Sequence, residues 1–391
     1  MPLDLERLLT DRSRAIDASG IRRAFDLAAK LDAPINLSIG QPHFDVPAPV
    51  RDAAQAAIDS GRNGYTPTQG SAPLLQAVGK RLAQEFPATY GQEAGETPGP
   101  LGLPQDTGVL ATSGVSGALV LALLACAQPG DEVVMPDPGF VMYRHLTALA
   151  GATPVPVDTY PDFRLTAERV EAVLTPKTKM VILNSPGNPT GVVATAQDCR
   201  ELYDLCQQRG VLLVTDEIYD AFCYEPFASP AAVGRNLLLL RGFSKTYGMT
   251  GWRLGYAVGP KPLIEQMAKF QQYTFVCAPS MTQAAGVAAL DVDMSAEIDA
   301  YRRKRDRVVE RLSGHYQLTP PGGAFYAFPE VPENLGMTGS QFIEHAITSK
   351  KLIVIPGSVF SQRDTHLRIS FAADDDTLDA GLDALVELAS E

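Results

Sequence analysis

From Val109 onward, short apolar runs alternate with segments whose apolar residues recur at helical spacing. The runs predict strands at 109–112, 132–136, 153–157, 179–184, 211–215, 237–241 and 254–258, with helices such as 115–127 and 196–209 between them. Val211-Leu212-Leu213-Val214 and Leu237-Leu238-Leu239-Leu240 are apolar without alternation, the pattern of strands covered on both faces. Strand–helix alternation of this kind predicts an α/β chain: a mostly parallel, seven-stranded sheet in a three-layer α/β/α arrangement. Ligands in such sheets gather beyond the carboxyl ends of strands. Ser113-Gly114, Asp137, Asn184 to Asn188, Asp216 and Ser244-Lys245 are therefore expected to meet on one rim, although they lie far apart along the chain.

The pattern changes near residue 296. A charged helix at 300–312 leads into shorter strands near 324–329, 352–355 and 366–371, with a helix at 341–349 and another closing the chain. This predicts a small α+β domain at 296–391, a large domain at 45–295, and an N-terminal segment, 1–44, packed with the small domain. The stretch 87–108 is rich in Gly and Pro and poor in apolar residues, and is expected to form an exposed, mobile loop.

Composition narrows the function more by exclusion than by indication. The net charge of −12 argues against nucleic acid as a partner. The N-terminus has early acids and no apolar core segment, so no signal peptide is expected. The longest apolar run, 118–127, is too short for a membrane span, and a cytoplasmic protein is expected. Five cysteines, Cys126, Cys199, Cys206, Cys223 and Cys277, form no CxxC pair and are expected to be free, buried thiols. No metal site is expected.

The rim residues carry candidate chemistry. Lys245 follows a buried strand and precedes a Gly-containing turn, where desolvation would lower its pKa and make it a usable amine nucleophile, although most lysines are solvated surface charges. Asp216 at a strand end is either a turn cap or a carboxylate facing a pyridinium nitrogen. Tyr219, three residues on, faces the same side if a helical turn follows. Ser185-Pro186-Gly187-Asn188-Pro189-Thr190-Gly191 makes a tight loop in which Asn188 offers an amide, and a cis peptide is expected there, with Asn188–Pro189 the candidate. Gly114, Val115 and Ser116 open a helix whose free N–H groups suit an anion, and Arg253 adds a cation with bidentate geometry. Phe140 suits stacking on a flat ring, and a core position equally. Arg368 on an alternating strand is either solvated or a clamp for a substrate carboxylate, with Gly40-Gln41-Pro42 bringing backbone donors to the same group. Ile21, Ile39 and Phe140 would favour small or apolar substrate side chains.

These residues carry a resemblance. Ser19-Gly20-Ile21-Arg22, the stretch from Ile35 to Pro42, Gly64-Tyr65-Thr66-Pro67 with Gly70, Asn188-Pro189-Thr190-Gly191, Asp216-Glu217-Ile218-Tyr219 and the stretch from Lys245 to Arg253 follow one another in order. In this the chain resembles class I aminotransferases of the aspartate, alanine and aromatic group, which are fold-type I pyridoxal-phosphate enzymes. The resemblance implies that pyridoxal 5′-phosphate is held as a Schiff base by Lys245. Asp216 would pair the ring nitrogen, and Tyr219 and Asn188 the phenolate oxygen. Gly114, Val115, Ser116, Ser244 and Arg253 would hold the phosphate, and Arg368 the substrate carboxylate. It further implies a homodimer in which Tyr65 reaches the partner's phosphate. The implied reaction moves an amino group from an L-amino acid to a 2-oxo acid by a ping-pong mechanism, with carbon–sulfur β-elimination the alternative. The sequence departs from the family at Gly242, where a phosphate-binding serine is usual, at Gly139, where an aromatic is frequent, and at His43, where an aspartate is usual.

Overall fold

The computed structural model describes residues 3, 6–14, 16, 31–91 and 97–391. Ser19, Gly20, Ile21 and Arg22 lie outside the described residues.

Twelve strands are described. β1 is Ile35–Asn36, β2 Thr107–Thr112, β3 Glu132–Asp137, β4 Thr153–Asp158, β5 Thr178–Asn184 and β6 Leu212–Asp216. β7 is Leu238–Gly242, β8 Gly255–Pro260, β9 Tyr326–Ala327, β10 Leu352–Ile353, β11 Ile355–Pro356 and β12 Leu367–Ser370. Seven of them form one sheet in the order β2-β8-β7-β6-β5-β3-β4. β8 runs antiparallel to both neighbours, and the other pairings are parallel. The seven predicted strands are present, their ends displaced by a residue or two.

Register explains why the rim residues meet. Asn184 pairs with Asp216, so the last residues of β5 and β6 stand side by side. Because β8 is reversed, its first residue rather than its last lies at the rim: Gly255 pairs with both Thr112 and Gly242. Arg253, just ahead of β8, is thereby delivered beside the turns that follow β2 and β7. The strand-end rule alone does not anticipate this.

Helices cover both faces. The helix Gly114–Cys126 lies on one side within an apolar cluster that includes Leu110, Leu119, Val133, Ile182, Val214 and Leu240. On the other side, Ala196–Arg209 starts at a capping box made by Thr195 and Asp198 and stops at Gly210, whose φ of 65° is easy for glycine. Asp198 also takes the Arg164 guanidinium at 2.7 Å, tying this helix to the loop that follows β4.

A second core lies around Leu37, Tyr301, Val308, Phe325, Phe342, Leu367 and Leu385. It is built from β9, β11 and β12 in one antiparallel sheet, from the parallel pair β1–β10, and from the helices Ser295–Leu312, Gly339–Lys350 and Asp375–Ala389. The Ser370 N–H donates to the Leu37 carbonyl at 2.7 Å, so the segment around Leu37 is stitched to this core. Strand β12 places Arg368 between the buried Leu367 and Ile369.

Two expectations need correction. The 87–108 stretch is not simply exposed. Pro87–Tyr90 is a short helix, Tyr90 and Leu103 are buried, and the Leu101 carbonyl packs where a side chain at Gly79 would stand. Its few apolar residues anchor the described parts, 87–91 and 97–108. All five cysteines are free, but only Cys199 and Cys206 are fully buried, while Cys126, at a helix end, and Cys223 and Cys277, in loops, are half-buried. Among the described residues, no helix is long and apolar enough to cross a membrane.

Candidate active site

A cleft of about 390 Å³ opens at the rim. Its lining includes Ile39, Gly40, Val115, Ser116, Phe140, Asn188, Asp216, Tyr219, Ser244, Lys245, Arg253 and Arg368, so residues from both cores converge. Gly114 borders it through Arg253. Of the residues singled out from the sequence, Tyr65 stands apart: it is 87% exposed and does not line the cleft of its own chain.

Lys245 follows β7 and points inward. Its Nζ donates to the Gly40 carbonyl at 2.6 Å. Burial, reinforced by the Arg368 and Arg253 cations, lowers its pKa to about 8. Gly40 thus presents an acceptor to the lysine through its carbonyl oxygen. The amine faces the rings of Tyr219 and Phe325 at about 6 Å.

Asp216 is buried at the end of β6. Its Oδ2 accepts from the Tyr143 hydroxyl at 2.8 Å and its Oδ1 from the Ile218 N–H at 3.2 Å. Burial raises its pKa to about 6, although both hydrogen bonds and the Lys245 charge pull the other way. Tyr219 lies in a turn rather than a helix, and its hydroxyl meets that of Tyr326 at 3.0 Å.

The loop after β5 is held by Asn184, whose Oδ1 accepts from the Asn188 N–H and whose Nδ2 donates to the Asp216 carbonyl, both at 2.9 Å. Both Ser185–Pro186 and Asn188–Pro189 are cis. The Asn188 Oδ1 accepts from Arg368 Nη1 at 3.2 Å, which leaves its amide N–H groups to donate. Arg368 is 1% exposed. Its Nη2 donates to the Ser38 carbonyl at 2.7 Å, and the Tyr326 and Phe360 rings lie 4.6 and 4.8 Å from the guanidinium carbon. Arg368 Nε is buried and has no hydrogen-bond partner among the described residues. Burial lowers the pKa of this guanidinium.

At the other end of the cleft, Arg253 Nη2 donates to Ser116 Oγ at 2.8 Å and Nη1 to the Thr250 carbonyl at 3.1 Å. Gly114 has φ +67°, and a Cβ there would stand 2.7 Å from Arg253 Nη2. Only glycine leaves this cradle open. The two glycine departures have a steric cause. A Cβ at Gly242 would meet Ile218 Cδ1 at 2.9 Å and Val115 Cγ2 at 3.3 Å, and one at Gly139 would meet the Pro136 carbonyl at 2.4 Å. Ser244 stands on the cleft wall together with Ser116. His43 bonds the Tyr301 hydroxyl through Nδ1 at 2.8 Å, which anchors the chain just after Gly40.

Sequence reading missed Tyr143 and Tyr326. Tyr143 stands three residues after Phe140, a spacing that signals a shared side, and the two rings do meet edge to face. Tyr326 carries no local signal beyond an aromatic run in the small core.

The chain matches the aminotransferase class I and II family over residues 32–385. The aromatic-amino-acid aminotransferase 2 of Thermococcus litoralis is 34% identical over 98% of each chain. The aspartate aminotransferase of Pyrococcus abyssi is 33% identical, again over 98% of each. The structure superposes on that of the Thermus thermophilus aspartate aminotransferase with maleate at a TM-score of 0.89 and 30% identity, covering 97% of this chain and 99% of that one. A family match along nearly the whole length, joined to the same α/β architecture, establishes that this chain belongs to the class I aminotransferases and is a transaminase of fold type I.

Proposed function

We propose that the cleft holds pyridoxal 5′-phosphate and that the chain exchanges amino groups between an L-amino acid and a 2-oxo acid in two half-reactions. The observation that carries this is the meeting of Lys245, Asp216 and Arg368 in one cleft. The residues fit the group. The open cradle at Gly114 lets a phosphate approach the N–H groups of Val115 and Ser116 at a helix N-terminus, with Arg253 as its cation and Ser244 alongside. A buried carboxylate with a raised pKa gains from a cation opposite it, and a pyridinium nitrogen is such a cation for Asp216. Asn188, with its oxygen engaged by Arg368, and Tyr219 donate to the phenolic oxygen. Phe140, on the cleft wall, would stack on the ring face.

Bound there, pyridoxal phosphate supplies an aldehyde carbon for amine exchange and a ring that draws electron density from the substrate's α-carbon. Lys245 is the covalent anchor. Burial lowers its pKa to about 8, so its amine sheds its own proton more readily than an ordinary lysine; once released it would take the substrate's α-proton and pass it to the cofactor's aldehyde-derived carbon, while the Gly40 carbonyl holds it in place. Arg368 clamps the substrate α-carboxylate with the donor capacity that its present partners leave unused. Ile39, Phe140 and Met142 on the wall favour an apolar substrate side chain. Exposed Tyr65 completes the phosphate site of a partner subunit in a homodimer. Carbon–sulfur elimination is not favoured, because the relatives above are aminotransferases.

Reconstitution tests this reading. The purified chain with pyridoxal phosphate should show a visible band that changes on adding an amino acid and returns on adding a 2-oxo acid, and Lys245→Ala should lose both the band and turnover. Ordinary turnover in Lys245→Ala sinks the assignment. Pyruvate and ammonia from a cysteine conjugate, with no oxo acid added, would restore the elimination reading.

A further inference from the structure

Tyr326 lies in β9, in the small core, yet its hydroxyl is 3.0 Å from that of Tyr219 and its ring lies 4.6 Å from the Arg368 guanidinium carbon. A Cβ at Gly40 would stand 2.8 Å from the Tyr326 hydroxyl, so glycine there leaves the hydroxyl its place. Both tyrosines are buried. Among the described residues, the charged and titratable groups facing the pair are Arg368, Asp216, Lys245, Tyr143 beside Tyr219 and, behind Tyr326, Tyr301.

Each phenol carries one proton. If Tyr219 donates that proton to the cofactor's phenolic oxygen, it has none left for Tyr326. The bond between the hydroxyls must then run from Tyr326 to Tyr219. A hydroxyl that accepts such a bond donates more strongly, because hydrogen bonds in series polarise one another. We infer that Tyr326 is a positioning residue with two separable functions: its hydroxyl strengthens the Tyr219 hydrogen bond into the cleft, and its ring braces the substrate-binding guanidinium of Arg368. The inference rests on the cofactor reading above. It joins Tyr219 on the cofactor side and Arg368 on the substrate side through one side chain, the first by a proton and the second by a ring face.

The two functions are separated by Tyr326→Phe, which keeps the ring, and Tyr326→Leu, which keeps neither. The readouts are the pH midpoint of the bound cofactor's visible absorption and the dissociation constant of 3-phenylpropionate, an unreactive carboxylate. A stronger donor on the phenolic oxygen lowers that midpoint, so in Tyr326→Phe it should rise by about half a unit, with 3-phenylpropionate binding within twofold of wild type. In Tyr326→Leu the midpoint should rise equally and 3-phenylpropionate should bind about fivefold more weakly. In a Tyr219→Phe background, Tyr326→Phe should move the midpoint no further, since the relay is already cut. An unmoved midpoint in Tyr326→Phe, or a further shift in the double variant, overturns the inference alone. A wild-type chain with no Lys245-dependent visible band overturns the cofactor reading as well. Thermal melting of each cofactor-free variant identifies any loss of fold.

Discussion

Two arginines in this molecule are equally hidden and opposite in character. Arg241, on β7 four residues before Lys245, is surrounded by carboxylates. Its Nη1 and Nη2 meet the two oxygens of Glu85 at 2.7 and 2.8 Å, its Nε and Nη2 meet Glu217 Oε2 at 3.0 and 2.8 Å, and Asp220 lies at 3.2 Å. Glu217 is in turn bonded by the Thr215 and Ser229 hydroxyls. Burial would lower the pKa of this guanidinium, but its carboxylate partners reverse the effect and raise it well above the usual value. Among the described residues, Arg368 has one carbonyl, one amide oxygen and two ring faces, and burial lowers its pKa. A saturated buried cation is structural, because it has nothing left to offer a ligand. An unsaturated one is held by its surroundings at a cost that an incoming carboxylate would relieve. Burial alone does not distinguish the two; the partner count does.

The comparison is broken or sharpened first by removing each guanidinium. Arg241→Met leaves Glu217, Glu85 and Asp220 without their cation, and should cost about 3–5 kcal/mol in urea unfolding of the cofactor-free protein. Arg368→Leu should lower kcat/KM by about 100-fold or more through its lost charged hydrogen bonds, while changing stability by less than about 1 kcal/mol. Equal stability losses in the two variants would remove the distinction.

Lys245 belongs on the unsaturated side. Its folded pKa of about 8 lies below the ordinary 10.5, so the unfolded state binds the proton more tightly. The penalty of burying the ammonium is fully present below pH 8, fades as pH rises and is gone above about 10.5. Lys245→Met should therefore stabilise the cofactor-free protein at pH 7 by at most about 3 kcal/mol, and the gain should vanish at high pH. A gain that persists undiminished through pH 10.5 contradicts the assignment. The smallest effect is at Gly242. Gly242→Ser restores the residue usual in the family, but its Cβ must displace the end of Ile218, and we expect a loss of about 1 kcal/mol by thermal melting. A gain in stability would mean that the site yields more easily than its contacts indicate.

Much of the fold was legible because its signals are local. Continuous apolar runs at 211–214 and 237–240 require burial on both faces, and helical spacing marks the segment 196–209. Most of the residues gathered at the site were legible through ordered short motifs. The rest was not, because the relevant partners are remote. Tyr326 is 107 residues from Tyr219, and Asn188 is 180 from Arg368. Tyr143 reaches Asp216 across 73 residues, and nothing in either neighbourhood names the other. The 87–108 stretch was misread because Gly and Pro content reports turn-forming tendency, while burial of Leu103 and Tyr90 depends on a surface built by other elements.

By itself the sequence determined the periodicities, hence the layers, and the order of motifs, hence the family. It also placed Lys245, Asp216 and Asn188 at strand ends, since local pattern sets where a strand stops. Only the tertiary structure decided which way β8 runs, and so that Arg253 arrives at the rim. Likewise, it alone decided which buried arginine is saturated and which tyrosine stands behind Tyr219. Strand direction and hydrogen-bond partnership are relations between distant segments, settled when the sheet pairs and the two cores close on the cleft, and no window of the sequence contains both members.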